Sequence, residues 1–487
     1  MQLRYAEHLL DGGGYSWNYG EPSYGCTSIL YILYLGLYIV FSKVLGINNL
    51  AYIMQTASIS MFIVYNIFIY RIKTIILRDN ILYSILLFIL TLSPLLFYNT
   101  YNAIETMASL ASLSFLSYLC VRLLYGNKIL NIGNIVFVCL SSFIAFSVRP
   151  DNGIYALLLP LFTFLYIQGY KTALQFLTLF LVLISIDTYL KYLYFGNPLP
   201  LTFYIKQGNY YEGYMAATLW SPFLYLAEII RSLFWLPGIV AILYYSKKNL
   251  KAALIFLIPL LITFAYYFST TQIMGNDARF YLPSTGIMLT VFMLLTDSKF
   301  PYMNRSILRA GTIILLAIFI TLPSIFEIIH YKVYAPFKTN AVLLESSFYR
   351  DAIKYEDHKR AKQYEWQPLI FKVDTLLSLM DDRGVFAATE YGYLGYKHSA
   401  MTIMDLAGLH DKSTALHGYR NAQLESYSPD LIWMPHYYYT GLYYNLISSP
   451  YFIKNYLFFP YLYNYGIAVR KDSRYKSKLL QEIQRQL

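Results

Sequence analysis

Charged residues are scarce in this chain. Its 487 residues are 57% hydrophobic and only 13% charged. A soluble protein of this size carries far more charge on its surface. Apolar runs of about 18 or more residues recur, and each is long enough to span a hydrocarbon layer roughly 30 Å thick. The composition therefore predicts a polytopic α-helical membrane protein.

Cysteines and the familiar catalytic motifs are scarce as well. The chain has 3 cysteines, Cys26, Cys120 and Cys139, all at or inside apolar segments. Their number and spacing exclude a disulfide framework and a cysteine-based metal site. The sequence contains no HExxH helix, P-loop, CxxC pair or Ser-His-Asp arrangement. The net charge of +11 does not indicate nucleic acid, because Lys and Arg collect in the cytoplasmic loops of membrane proteins.

The apolar pattern ends near residue 330, where charges become frequent. Beyond it, the runs GVFAATE, AMTIMDL and PDLIWMP have the composition of strands, and PLIFKVDTLLSLMDD predicts an amphipathic helix. We therefore expect a loop-like segment at 1–25, a transmembrane domain at 26–330 and a water-soluble α/β domain at 331–487. Apolar helices are predicted at 26–46, 51–70, 81–99, 104–124, 130–147, 153–169, 172–192, 222–245, 252–269, 281–296 and 309–330.

Basic connections between these helices predict the orientation. Lys and Arg are in excess at 71–80, 121–128, 169–171, 246–251 and 297–309. If these connections are cytoplasmic, the alternate connections and the C-terminal domain are extracytoplasmic. The charges do not decide the side of residues 1–25, which are cytoplasmic if 26–46 crosses the membrane and extracytoplasmic if 26–46 is a re-entrant or interfacial helix.

Polar side chains recur in the connections assigned to the outer side. SVRPDNG holds Arg149 and Asp151, and GNDARFYLP holds Asp277 and Arg279. YFGNPLPLTFYIKQG adds Tyr204 and Lys206, and NAIETM adds Glu105. Arg suits phosphate, since its planar fork stays charged and donates paired hydrogen bonds. Helix caps, a proline-stiffened loop and surface ion pairs are the alternative explanations.

Taken in order, several stretches resemble one family. They are RYAEHLLDGGGYSWNYGEPSYGCTSILY, NAIETM, VRPDNG, YFGNPLPLTFYIK, GNDARFYLP, AATEYGYLGY and TIMDLAGLHD. Together they resemble bacterial GT-C membrane glycosyltransferases of the group that includes the mycobacterial terminal arabinofuranosyltransferase. The resemblance implies an inverting enzyme at the outer face of the cytoplasmic membrane. Such an enzyme moves a sugar from a polyprenyl-phosphate carrier to a glycan or glycolipid acceptor.

The resemblance also implies roles for individual residues. Arg149, Lys206, Arg279 and Arg4 are expected to bind the donor phosphate, and Asp151 is expected to orient Arg149. Contacts with sugar or acceptor hydroxyls are expected from Asn18, Glu21, Glu105 and Tyr204. No cofactor is implied with certainty, and a divalent cation is left open.

The catalytic base is a separate expectation from the resemblance. In the group, a first membrane helix leads into an outside loop that carries an Asp-Asp pair a few residues before an Arg-Tyr-Ala sequence. Here Arg-Tyr-Ala is Arg4 to Ala6, so the pair and that helix would lie upstream of Met1. Residues 1–25 would then be the second part of an extracytoplasmic active-site loop. Within the chain, Asp277 is the fallback base.

Other functions fit parts of the pattern. An O-antigen polymerase or ligase also meets lipid-linked glycans outside the membrane, but it is expected to carry a large Arg-bearing loop in place of a folded C-terminal domain. A transporter would place ionisable groups such as Asp187 within a membrane helix. A catalytically inactive glycan-binding membrane protein is the third alternative. The sequence names neither the sugar nor the acceptor.

Overall fold

The structure is a computed structural model of the 487-residue chain. It describes residues 1–47, 49–78, 104–126, 131–208, 250–268, 279–296, 366–435, 439–460, 462–463 and 465–486, and a few single positions between 84 and 101. The described chain is a largely helical protein with a small C-terminal sheet. The predicted helices 222–245 and 309–330 lie outside the described residues, as do most of 81–99.

The chain divides into two compact units. One, here called the mixed unit, comprises Met1–Phe41, Asp187–Ala216 and Tyr355–Leu487. The other, the helical unit, comprises Ser42–Ile186 and Ala217–Lys354. These boundaries differ from the domains predicted at 26–330 and 331–487, because the two ends of the chain and a middle segment form a single unit.

Three described helices are long and apolar enough to cross a membrane: Tyr52–Ile76, Thr106–Tyr125 and Tyr170–Phe195. Shorter apolar helices span Ile29–Val44, Ile132–Val148, Lys251–Tyr267 and Leu282–Leu294. The first long helix continues from Leu50, and a further apolar helix spans Gly153–Gln168. Each coincides with an apolar segment predicted from the sequence, so the helical architecture is confirmed for this part of the chain.

Helix Thr106–Tyr125 lies at the centre of the helical unit. It contacts the helices Leu50–Ile76, Ile132–Val148, Gly153–Gln168 and Thr285–Thr296. Small residues on this helix let neighbouring backbones approach closely. At Gly286 a Cβ atom would lie 2.2 Å from the Ser114 hydroxyl and 3.3 Å from the Ser114 Cβ, so a larger residue here would displace the Ser114 side chain. The close packing holds the ends of these helices in fixed positions.

The sheet of the mixed unit has five strands in the order β2-β1-β3-β5-β4. Their bounds are β1 Val385–Ala388, β2 Thr402–Asp405, β3 Leu431–Trp433, β4 Tyr456–Phe459 and β5 Ile467–Arg470. β1 runs parallel to β2 and β3, and β5 runs antiparallel to β3 and β4. The predicted strand segments coincide with β1, β2 and β3. β4 and β5 were not predicted, since their tyrosine-rich surroundings carry no clear alternation.

Helices cover the sheet and connect its strands. The predicted amphipathic helix at 368–382 is confirmed as Trp366–Leu377. The other described helices of this region are Gly392–Lys397, Lys412–His417, Asn421–Tyr427, Thr440–Ile447, Pro450–Asn455 and Lys476–Gln486. Helix Leu201–Gly208, from the middle of the chain, contacts Lys412–His417. The predicted start of the C-terminal domain, 331–365, lies outside the described residues.

The N-terminal segment corrects one expectation. Residues 1–25 were predicted to be loop-like, but Gln2–Leu10 form a helix. Its apolar residues Leu3 and Ala6 lie one turn apart and are buried, so the helix is stabilised by burying one face. Gly12 and Gly14 follow with φ of +85° and +73°, a conformation that ends helices and favours glycine.

Candidate functional site

The described helical unit contains a cluster of charged residues at helix ends. We call Glu105, Arg149, Asp151, Tyr267 and Arg279 the charge cluster. Glu105 precedes helix Thr106–Tyr125, and Arg149 follows helix Ile132–Val148. The chain then turns through the 3₁₀ segment Pro150–Asn152, where proline suits the first position because its missing N–H has no helical partner there.

Arg149 and Asp151 form a two-point salt bridge. Arg149 Nε donates to Asp151 Oδ1 at 3.0 Å, and Nη2 donates to Oδ2 at 2.5 Å. The Tyr267 hydroxyl also donates to Oδ2, at 2.7 Å. The guanidinium carbon lies 5.6 Å from the centre of the Phe280 ring. These contacts fix the plane of the Arg149 guanidinium.

Glu105 and Arg279 form the second pair of the cluster. Arg279 Nη2 donates to Glu105 Oε1 at 2.5 Å, and Glu105 is buried. Arg149 Nη1 donates to the Arg279 carbonyl at 3.3 Å, which links the two pairs. Burial raises the pKa of Glu105, but Arg279 and Arg149 outweigh it and lower the pKa to about 2. Glu105 is therefore ionised at neutral pH.

One donor of the charge cluster has no partner within the described residues. It is Nε of Arg279, a buried N–H on a side chain that is 24% exposed. A buried donor without a partner costs free energy, about 1–3 kcal/mol in mutational data. An oxygen-rich anion at this position would accept from Nε and gain a charge-assisted hydrogen bond.

The cluster unites three of the sequence motifs. NAIETM supplies Glu105, VRPDNG supplies Arg149 and Asp151, and GNDARFYLP supplies Arg279. Tyr267 was not predicted; it lies within an apolar run, and only its hydrogen bond to Asp151 distinguishes it. Asp277, the fallback base, lies outside the described residues.

The remaining predicted residues belong to the mixed unit. Tyr204 and Lys206 lie on helix Leu201–Gly208. Tyr204 is half-buried, while the Lys206 side chain lies outside the described part of the chain. Arg4, Asn18 and Glu21 lie in the N-terminal segment.

Arg4 is fully buried and its donors are occupied. Nε donates to the Trp17 carbonyl at 2.6 Å, Nη1 to the Gly395 and His398 carbonyls, and Nη2 to the Met401 carbonyl and Asn18 Oδ1. A guanidinium has five N–H groups, and all five are used. Arg4 was expected at the donor phosphate, but in this structure it joins the N-terminal segment to the α/β part of the mixed unit.

Asn18 and Glu21 line a pocket in the mixed unit with a volume of about 190 Å³. Asn18 Oδ1 accepts from the Ile403 N–H at 2.9 Å, and its Nδ2 lies 3.4 Å from Glu21 Oε2. Asn18 is therefore fixed beside the edge strand β2, and it positions the exposed Glu21 at the pocket.

Sequence reasoning did not single out Asp405, at the end of β2. It is buried, and its carboxylate accepts from the backbone N–H groups of Ala407, Gly408 and His410. Burial raises the pKa of Asp405 to about 7, although the His410 N–H lowers it. The motif TIMDLAGLHD contains this residue, and an acid directly after an apolar strand was the available signal.

Among the described residues, no group of three or more His, Cys, Asp or Glu side chains is placed to hold a metal ion. No protein-family model matches the chain. Comparison with curated proteins and with solved structures gives no match either.

Proposed function

We propose that this protein is a polytopic membrane glycosyltransferase that takes a sugar from a polyprenyl-phosphate carrier. The observation that carries the proposal is the charge cluster, in which three motifs distant in sequence supply Glu105, Arg149, Asp151 and Arg279 to one place. The order of the motifs resembles GT-C glycosyltransferases. The long apolar helices of the described chain support a place in a membrane.

The proposed chemistry is a substitution at the anomeric carbon of the donor sugar. The acceptor hydroxyl oxygen forms a bond to that carbon while the bond from carbon to the phosphate oxygen breaks. The electron pair leaves with the polyprenyl phosphate, and the acceptor proton passes to a base. Attack from the face opposite the phosphate inverts the configuration. General-base help of this kind is worth about 10²–10⁴-fold in rate.

The charge cluster has a defined part in this proposal. Arg279 contacts the donor phosphate through Nε, while Glu105 holds the other end of its guanidinium. Arg149 adds positive potential in an orientation that Asp151 fixes. Positive charge fixed beside the leaving phosphate stabilises the negative charge that develops there in the transition state, and the site does not have to rearrange. Removing one such donor lowers the rate by about 10²–10³-fold.

The test compares two substitutions of Arg279. Purified full-length protein is assayed for transfer from a polyprenyl-phosphate sugar to a glycan acceptor, and for binding of polyprenyl phosphate alone. We expect Arg279→Lys, which keeps the charge but loses Nε, to lower transfer by about 10²-fold or more. Arg279→Gln should also weaken binding of the lipid phosphate. Arg383→Gln, on an exposed surface of the mixed unit, is the control.

Three outcomes are informative. Normal transfer by Arg279→Lys would remove the cluster from the donor site. Binding of lipid phosphate without transfer by the unsubstituted protein would favour a catalytically inactive glycan-binding protein. Transfer of a whole glycan from a lipid carrier, without transfer of single sugars, would favour a polymerase or ligase.

The proposed orientation has its own test. Asn249→Cys and Asn304→Cys lie in connections assigned to the cytoplasm, and Arg420→Cys lies in the C-terminal domain assigned to the outer side. In intact cells, an impermeant thiol reagent should label only the last. Labelling at 249 with protection at 420 would reverse the orientation.

A further inference from the structure

A small pocket in the mixed unit has the character of a sugar site. It lies between the loop around Trp17 and Glu21 and the chain that follows β2, including Asp411 and the helix Lys412–His417. Its volume is about 190 Å³. Pockets that bury drug-sized ligands hold roughly 300–1,000 Å³, so this one suits a ligand no larger than a single sugar ring.

The charges at the pocket do not favour an anion. Glu21 and Asp411 are acidic, and Lys412 is the basic side chain that lines it. Lys412 Nζ donates to the Phe195 carbonyl at 3.0 Å, which directs part of its hydrogen bonding away from a ligand. Burial lowers the pKa of His410 well below its ordinary value, so this lining residue is neutral at pH 7. The pocket therefore carries a small negative charge.

Asp411 is also unsuited to a metal ion. Its Oδ1 accepts from the N–H and hydroxyl of Thr414, both at 2.7 Å. Its Oδ2 accepts from the Tyr427 hydroxyl at 3.1 Å. A hard cation needs several free oxygen ligands, and here one carboxylate is already used by the protein. Glu21 is then the carboxylate that remains for a ligand.

The pocket offers both kinds of hydrogen bond. The donors are the Ser413 hydroxyl and the Lys412 ammonium, which keeps N–H groups beyond its bond to the Phe195 carbonyl. Glu21 accepts, and the Tyr427 oxygen has lone pairs left after donating to Asp411. Hydroxyl groups of a sugar both donate and accept, so they satisfy this mixture where a simple cation or anion does not.

Aromatic packing makes the wall of the pocket rigid. The Trp17 ring stacks on the His410 ring with centres 4.3 Å apart and an angle of 14°. The Arg4 guanidinium carbon lies 4.6 Å from the Trp17 ring centre. A site that is held in shape before binding loses less entropy when the ligand arrives.

We propose that this pocket binds one neutral sugar residue of the acceptor glycan, with Glu21 accepting from its hydroxyls and Trp17 and Tyr427 completing the site. Its place in the reaction rests on the proposed glycosyltransferase function. The binding of a neutral sugar does not rest on that function, because it depends on the pocket alone.

The experiment measures binding of neutral methyl glycosides to the full-length protein by saturation-transfer NMR. The probes are methyl hexopyranosides and methyl pentofuranosides, with inorganic phosphate and Ca²⁺ as charged comparisons. Single sugars typically bind weakly, so the titration extends to concentrations of about 10 mM, beyond a Kd of 1 mM. We expect at least one glycoside to bind and neither charged probe to compete with it.

Matched variants locate the binding. Glu21→Gln removes one charge from an exposed side chain and Tyr427→Phe removes one hydroxyl, so both should fold. Each should weaken glycoside binding by about 10-fold, the effect of a hydrogen bond worth roughly 1.4 kcal/mol. Glu425→Gln, an exposed acid on the neighbouring helix Asn421–Tyr427 that does not line the pocket, should leave binding unchanged.

The outcomes separate this proposal from the previous one. Absence of glycoside binding, equal binding by Glu21→Gln, or binding of Ca²⁺ or phosphate in place of glycosides would each overturn the sugar pocket. If transfer occurs, the pocket variants should raise the KM for acceptor and leave polyprenyl-phosphate binding unchanged. If glycosides bind in a way that depends on Glu21 and lipid phosphate does not bind, the proposed sugar pocket stands and the proposed donor site at the charge cluster fails.

Discussion

Arg149 and Asp151 are two residues apart and form a two-point salt bridge whose side chains are 6% and 19% exposed. The mixed unit contains a pair with the same spacing, Asp381 and Arg383, at 3.3 Å with exposures of 48% and 78%. Both pairs join an arginine to an aspartate, but the Arg383 guanidinium makes a single contact and Asp381 also accepts from Arg474. The two pairs provide a comparison of a buried and an exposed ion pair.

We expect Arg149→Gln to destabilise the protein by about 3–5 kcal/mol, because it leaves the Asp151 charge in a largely buried place without its partner. Arg383→Gln should change the free energy of unfolding by less than about 1 kcal/mol, as for other exposed pairs. Urea unfolding in detergent micelles measures both. Equal effects of the two substitutions would contradict the buried character of the Arg149 pair.

Gly395 and Gly392 lie on one short helix and test the packing of the N-terminal segment. At Gly395 a Cβ would lie 2.8 Å from the Trp17 ring, whereas at Gly392 it meets nothing within 4 Å. Gly395→Ala should lower the free energy of unfolding by about 1–3 kcal/mol, since a rigid ring has to move. Gly392→Ala should be neutral or stabilise by up to about 1 kcal/mol. Thermal unfolding of the two variants provides the comparison.

Asp405 should make stability depend on pH. Its pKa is about 7 in the folded protein and 3.8 when unperturbed, and burial is the main cause. Between these values the folded state keeps a proton that the unfolded state has released. Its stabilising contribution is therefore complete below pH 3.8 and is lost as pH rises to about 7, with a limiting slope of about 1.4 kcal/mol per pH unit.

Asp405→Asn removes this titration. The stability of the unsubstituted protein minus that of the variant should fall from pH 4.5 to pH 7 and stay constant above it. Unfolding curves at four pH values measure the difference. A difference that rises with pH would show instead that the N–H groups of Ala407, Gly408 and His410 stabilise the ionised carboxylate more than burial opposes it.

Arg4→Lys tests the structural role of Arg4. Lysine keeps a positive charge but cannot reach the Trp17, Gly395 and Met401 carbonyls together, so buried acceptors lose their partners. We expect a loss of about 3 kcal/mol or more in the free energy of unfolding. Arg485→Lys, at an exposed side chain of the C-terminal helix, is the control and should have little effect. A small effect of Arg4→Lys would contradict the structural role and favour the original expectation that Arg4 binds the donor phosphate.

The sequence predicted the regular elements better than their assembly. Long apolar helices and β1, β2 and β3 follow from composition and periodicity, which are local properties. Helix Gln2–Leu10 was missed because a short helix is marginal alone, and this one is stabilised by contacts with the rest of the mixed unit. The division of the chain into two units depends on contacts between segments hundreds of residues apart, which local sequence patterns do not show.

In the candidate site, too, the sequence predicted individual residues better than their arrangement. Charged residue types at the ends of apolar helices indicated Glu105, Arg149, Asp151 and Arg279 individually, and the structure pairs them. The local sequence does not distinguish Arg4 from these charged residues. Its full burial, visible only in the structure, gives it a structural role. The pocket residues Asp411 and Tyr427 were not predicted, because a pocket arises from three-dimensional packing and carries no spacing signature.

The bond from Arg4 to the Gly395 carbonyl joins residues 391 positions apart. During synthesis at roughly 5–20 residues per second, Arg4 waits roughly 20–80 s before Gly395 is made. Until then Tyr5 and Trp17, buried in the finished protein, have no partner from the C-terminal region. The mixed unit therefore completes its folding only after nearly the whole chain has left the ribosome. A nascent chain arrested before Gly395 should leave its N-terminal segment open to proteases that the finished protein resists.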